Sequence, residues 1–211
     1  MATNPAMLDK LGLILAFAMG AVVLFLGSVE FFAIFIVFLV ASVVATKYGH
    51  LQKRDVGLYE HERSWENVLA NGIVPMAAAV AFPFIGWGAY IGSVAAIASD
   101  KFASEFGVLD RADPISLLTL KAGKRGESGC VSPLGTLMSF NGALVIGIAA
   151  LFLMPSQVDG WKMILIASVG FVGSFADSLA GVLEEKGIGT KATTNAICAV
   201  VGAVLGWAVL R

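Results

Sequence analysis

Three carboxylates, Asp100, Glu105 and Asp177, sit in or beside stretches that are otherwise apolar. A carboxylate in such surroundings is costly unless it faces a partner, a cation or water. Together the three suit one or two Mg2+ ions, which bind a few carboxylates and complete their shell with phosphate oxygens and water. On a straight helix Asp100 and Ser104 share a face and Glu105 is turned away, which makes Asp100 the stronger candidate of that pair. The segments SDKFAS (residues 99–104) and ADSLAG (residues 176–181) echo one another. The echo predicts that Asp100 and Asp177 face each other at one depth on parallel helices.

Two further constellations favour phosphate. In KAGKRGESGCVSPLGT (residues 121–136) the cations Lys121, Lys124 and Arg125 run into Gly126, Ser128, Gly129, Ser132 and Gly135. Glycines let backbone N–H groups approach phosphate oxygens, and the start of a following helix adds partial positive charge. A basic loop resting on anionic lipid accounts for the lysines but less naturally for the serines and glycines. In RSWENVLANG (residues 63–72) Arg63, Asn67 and Asn71 recur at helical spacing, a stripe of donors suited to a phosphate or ribose. Trp65 reads as an anchor at the headgroup level. His50 and His61 read as loop residues rather than ligands or bases.

The elements that position these groups follow from composition. Of 211 residues 58% are hydrophobic and only 14% charged, against about 25% charged in soluble domains. An α-helix crosses the hydrocarbon core with about 20 mostly apolar residues. Such stretches recur at residues 11–27, 29–46, 68–86, 89–107, 134–154, 161–183 and 195–210. The predicted fold is all-α, a polytopic transmembrane helical bundle of about seven spans. Six remains an alternative, because the fourth stretch ends in ionisable residues and Pro75 and Pro83 interrupt the third. One transmembrane domain over residues 1–211 is expected, with residues 108–133 as its phosphate-binding loop. The first stretch reads as a retained anchor, since a second follows almost at once without an A-x-A-like cleavage site.

Of the 14 Lys and Arg residues all but Lys10, Lys162 and Arg211 fall on one side of this arrangement. The positive-inside rule places that side, with all three constellations, in the cytoplasm and the N-terminus outside. A prokaryotic plasma membrane is the expected location. The net charge of -1 gives no sign of nucleic-acid binding. Cys130 and Cys198 lack both metal-site spacing and a plausible disulfide geometry. Small residues recur at helical spacing in the last three stretches, as close helix packing requires.

Taken in order, RSWENVLANG, SDKFASEFG (residues 99–107), the loop at 121–136, GSFADSLAGVLEE (residues 173–185) and then Asn195 resemble the integral membrane family that includes the plant phytyl-phosphate kinase of tocopherol synthesis. The resemblance implies transfer of the terminal phosphate of a nucleotide, CTP, with Mg2+, onto an isoprenyl monophosphate. It assigns Asp100, Asp177 and Lys124 to the reacting centre, Asp100, Glu105 and Asp177 to the metal, and Ser178 and Asn195 to the phosphate and nucleotide site. The chain departs from the family pattern at Lys101, where Thr is usual, and at Glu127 and Ser128, where Thr followed by Asn or Asp is usual. The expected partners are the lipid phosphate, the nucleoside triphosphate and membrane lipids. Rival readings are a lipid-phosphate cytidylyltransferase and, in another class, a secondary transporter with Asp177 on its pathway. The oligomeric state is not legible from the residues.

Overall fold

The computed structural model describes residues 9–55, 57–58 and 64–210. Long apolar runs, most of them opened by a small polar side chain, dictate the long helices. Asp9 caps α1 (Lys10–Val22), which continues as a π-helical turn over Val23–Gly27. Ser28 caps α2 (Val29–Lys47), and a short α3 (His50–Asp55) folds back beneath it. Then come α4 (Trp65–Ile85), α5 (Gly88–Gly107), α6 (Pro133–Leu153), α7 (Gly160–Glu185) and α8 (Lys191–Val209). Ser132, Asp159 and Thr190 cap the last three by accepting from Gly135, Lys162 and Thr193 amides. Each cap satisfies a donor that the first helical turn leaves unpaired.

Six helices among the described residues are long and apolar enough to cross a membrane: α1 with its π turn, α2, α4, α6, α7 and α8. The seventh expected span is α5. It is a continuous helix of 20 residues, but Gly88 through Ser99 are buried without a break. The other helices therefore enclose it, and its polar end need not meet lipid. The expectation that Pro75 and Pro83 interrupt the third span is not met, since α4 runs through both. Neighbouring helices in a membrane can absorb the lost hydrogen bonds.

Close packing fixes the directions. A methyl group on Gly92 would fall 2.2 Å from the Gly202 carbonyl oxygen, and one on Gly88 2.4 Å from that of Gly206, so α5 and α8 run antiparallel in backbone contact. Ala95 and Ala96 meet Gly170 and Gly173, which sets α5 parallel to α7. Ser99 donates to the Ser139 carbonyl at 2.9 Å, and Gly107 lies against Gly135, which sets α6 antiparallel. Tyr90 stacks on Phe31 and donates to its carbonyl at 2.7 Å, joining α2 to the start of α5. The ends of α2, α5 and α7 and the starts of α4, α6 and α8 consequently share one end of the bundle.

At that end residues 108–132 form a folded loop, tied by a two-stranded antiparallel pair, β1 (Ile115–Ser116) with β2 (Cys130–Val131). Gly129 rests on α7, where a side chain on Gly181 would fall 2.4 Å from the Gly129 amide nitrogen. Gly129 also has φ +73°, a conformation glycine adopts without strain.

Candidate functional site

Between the loop and the helix ends lies a cavity of about 520 Å³. The geometry of its floor follows from one packing layer. Ala96, Gly173 and Cys198 meet in one layer of α5, α7 and α8. One helical turn nearer the loop, α5 presents Asp100, α7 presents Asp177 and α8 presents Asn195, all lining the cavity. Lys191 follows a further turn along α8, and its Nζ donates to Asp177 Oδ2 at 2.9 Å. The charges of Asp100, Asp177 and Glu184 all reach Lys191.

Three oxygens at this wall are buried without any hydrogen-bond partner: Asp177 Oδ1, Asn195 Oδ1 and Glu184 Oε2. An unpaired buried acceptor is expensive, more so when charged. Oxygens of this kind, from carboxylate and amide, are the ligands hard divalent cations take, so the residues present fit Mg2+. Asp177, Asn195 and Asp100 are the groups that would hold it.

The roof and sides are built from the other constellations. Asn67 and Asn71 line the cavity from α4, with the Asn71 amide donating to the Asn67 carbonyl at 2.9 Å. Lys101 and Ser104 line it from α5, Ser132 and Gly135 from the cap and first turn of α6, and Ser178 from α7. The loop contributes Arg125, Gly126, Ser128 and Gly129. Arg125 donates to the Arg111 carbonyl at 3.0 Å, which holds the guanidinium stem at the rim.

Several expected roles need correction. Glu105 was expected as a metal ligand, but its carboxylate is already engaged. Its Oε1 accepts from Thr46 at 2.7 Å and pairs with Lys101, while Oε2 accepts from the fully buried Lys53 at 2.7 Å. Lys53 also donates to the Ala45 carbonyl at 2.9 Å. This network anchors α3 and α2 to α5, which makes Glu105 an anchor. Lys121 and Lys124 are exposed and do not line the cavity, and the Lys124 amide is turned to Glu127 at 3.1 Å. The start of α6 does not present free N–H groups, because Asp110 accepts from Leu134 at 2.6 Å and Ser132 from Gly135 at 3.1 Å. Those two bonds consume the partial charge expected to meet phosphate. Arg63 and His61 lie outside the described residues.

Lys191 is the site cation that motif reading missed. Its position four residues before Asn195, on the same helical face, was the available signal. Lys53 carried no such signal, since nothing local marks α3 as folding back into the bundle.

Outside the membrane-spanning segments two groups among the described residues are shifted. Asp110 is held below the usual carboxylate range, chiefly by the Leu134 amide and then by that of Ala112. Burial pushes the Cys130 thiol up, with the carboxylates of Glu127 and Glu185 adding to the effect. Those two carboxylates and the Cys130 sulfur lie within 4.8 Å of one another at the edge of the loop.

Seven long helices among the described residues, one of them enclosed by the others over most of its length, and a polar cavity at one end make this a polytopic integral membrane protein. The chain belongs to the family described as integral membrane protein DUF92, matched over residues 1–210. It is 33% identical over 204 residues to the uncharacterized membrane protein MJ0933 of Methanocaldococcus jannaschii, covering 94% of this chain and 84% of the relative. It is 29% identical over 187 residues to Protein PGR of Arabidopsis thaliana, covering 74% of this chain and 65% of the plant protein's length. No solved structure matches.

Proposed function

We propose that the protein is a membrane-embedded phosphotransferase that passes the terminal phosphoryl group of a nucleoside triphosphate to an isoprenyl monophosphate. CTP is the donor and phytyl or geranylgeranyl phosphate the acceptor on the motif resemblance. The observation that carries this reading is the pairing of buried, partnerless oxygens on Asp177 and Asn195 with a cationic, glycine-rich roof across one cavity. One wall holds a cation and the other holds phosphate.

Phosphoryl transfer depends on positioning and charge neutralisation more than on covalent help from the protein. An oxygen of the lipid phosphate attacks the terminal phosphorus, the bond to the β-phosphate oxygen breaks, and the nucleoside diphosphate leaves with that electron pair. The attacking oxygen is already anionic, so no strong base is needed. Bound Mg2+ would neutralise the phosphate charge and align the reacting groups. Lys191, Lys101 and Arg125 would hold phosphate oxygens, and Asn67 and Asn71 would orient the donor. These assignments place Lys191 where the resemblance placed Lys124.

The cavity also has an apolar side suited to a lipid tail. It reaches Phe171 and Phe175 on α7 and Thr136 on α6, and Phe175 and Thr136 are exposed on the bundle surface. A tail in the membrane could thus reach a phosphate held among the polar groups. A transporter is favoured less, because α5 and α8 close backbone to backbone at the opposite end. On the charge asymmetry of the loops the cavity faces the cytoplasm of a prokaryotic cell.

The test is conversion of phytyl or geranylgeranyl monophosphate by the purified chain in detergent with CTP and Mg2+. Label from the terminal phosphate should enter the lipid diphosphate. Lipid labelled only from the α-phosphate would identify a cytidylyltransferase, and no labelled lipid with any nucleoside triphosphate would overturn the enzyme reading.

A further inference from the structure

The wall that fits a divalent cation already carries a cation of the protein's own. Lys191 is the first residue of α8, and its side chain is 44% exposed, whereas that of Asp177 is only 7% exposed. The ammonium occupies Asp177 Oδ2 alone. The other Asp177 oxygen and Asn195 Oδ1 are left without partners, although both residues are more than nine-tenths buried. The pair is therefore half complete. Lysine carries three donors on a flexible four-carbon stem, so it can leave one acceptor for another at small cost. A divalent ion at Asp177 Oδ1 and Asn195 Oδ1 would stand close to that ammonium and repel it.

We propose that Lys191 is a resident counter-ion that exchanges with the divalent cation. While the cavity holds no cation, Lys191 neutralises Asp177. When the cation arrives, bound by Asp177 and Asn195, the ammonium withdraws toward the cavity mouth, where it meets anionic phosphate. This rests on reading the cavity as a phosphoryl-transfer site. Its consequence is that the protein alone binds divalent cations weakly, and that phosphate and cation favour each other by giving Lys191 somewhere to go. Such reciprocity is required of any two ligands coupled through one group.

The test is direct binding of Mn2+ to the full chain in detergent without nucleotide, followed by calorimetry or by the electron spin resonance of free Mn2+. Lys191→Met should bind Mn2+ about tenfold more tightly than wild type, a size usual for coupled sites. Lys191→Arg, which keeps the charge, should stay near wild type. Adding Asn195→Leu to Lys191→Met should abolish the gain. Should Lys191→Met fail to yield a monodisperse protein, Lys191→Gln makes the same comparison. Mn2+ affinity unchanged in a folded, charge-removed variant would overturn the exchange, as would a gain that survives Asn195→Leu. Turnover does not enter these measurements. A chain that shows the exchange yet transfers no phosphoryl group would sink the proposed function alone, and an active enzyme with unchanged Mn2+ affinity would sink the exchange alone.

Discussion

The two ends of α5 solve opposite problems with the same neighbours. At its start Gly88 and Gly92 let the α8 backbone approach so closely that no side chain fits between them. At its other end Asp100, Lys101 and Ser104 face a cavity of about 520 Å³, and the loop roofs over the gap. Small residues draw helices together in lipid, where no hydrophobic force acts between them. Charged groups hold them apart, because each needs a partner or water. The contrast teaches that polarity holds the chamber open at one end, while glycines bring α5 and α8 into backbone contact at the other.

The strongest way to sharpen this contrast is to remove charge from the open end. Asp177→Asn and Asp100→Asn should each lower phosphoryl transfer by roughly 10²–10³-fold, the size of losing one group that stabilises developing charge. Both variants should remain folded, and the double variant should lose little more than either single one, as expected of groups acting as a unit. Near-normal turnover at limiting Mg2+ in either folded variant would break the idea that this end is the reacting centre.

Next in size is the anchor behind the chamber. Glu105→Gln strands the buried Lys53 without its counter-charge and should cost about 3–5 kcal/mol, as broken buried pairs do. Lys53→Met should cost less, because Glu105 keeps Lys101 and Thr46. Thermal unfolding in detergent would reveal the asymmetry, and equal losses would refute it. At the closed end Gly202→Val should cost about 1–3 kcal/mol by overpacking, read in the same unfolding experiment. A neutral result would show that the glycine contact is not a clamp.

The smallest effect concerns the loop. Asp110 titrates below an unfolded carboxylate, whose pKa is about 3.9, so its bonds to the Leu134 and Ala112 amides stabilise the fold above that pH. The contribution disappears as pH falls through the lower folded value. Asp110→Asn should therefore cost about 1 kcal/mol near neutrality, like a lost helix cap, and progressively less as the pH falls into the acid range. Unfolding midpoints of wild type and variant that fail to converge in acid would contradict this.

Much of the closed end was legible in the residues, because Gly202 and Gly206 repeat at one-turn spacing and apolar length alone marks every helix but α3. The layer of Asp100 and Asp177 was legible from the echo between SDKFAS and ADSLAG, which the structure sets on parallel helices at one depth. Three features were not. A six-residue α3 whose one apolar residue is Leu51 cannot announce that Lys53 turns inward, since its pairing depends on α5 some fifty residues away. Asp110 lies in a polar loop where any carboxylate looks solvated, and only the fold brings it to the start of α6. Lys191 looked like one of many basic loop residues, and its role depends on α7 standing beside it. Patterns within a helix are visible in sequence, whereas partners across helices are not.

The enclosure of α5 has a bearing on how the protein is made. A segment with Asp100, Lys101 and Glu105 near its end is poorly suited to rest in lipid alone, where ionised residues are costly without a partner or water. Yet α5 leaves the ribosome before α6, α7 and α8, the helices that will surround it. During synthesis it is therefore expected to reach its enclosed position only once those later helices are present. The helices translated after α5 are thus also the ones that complete its membrane integration.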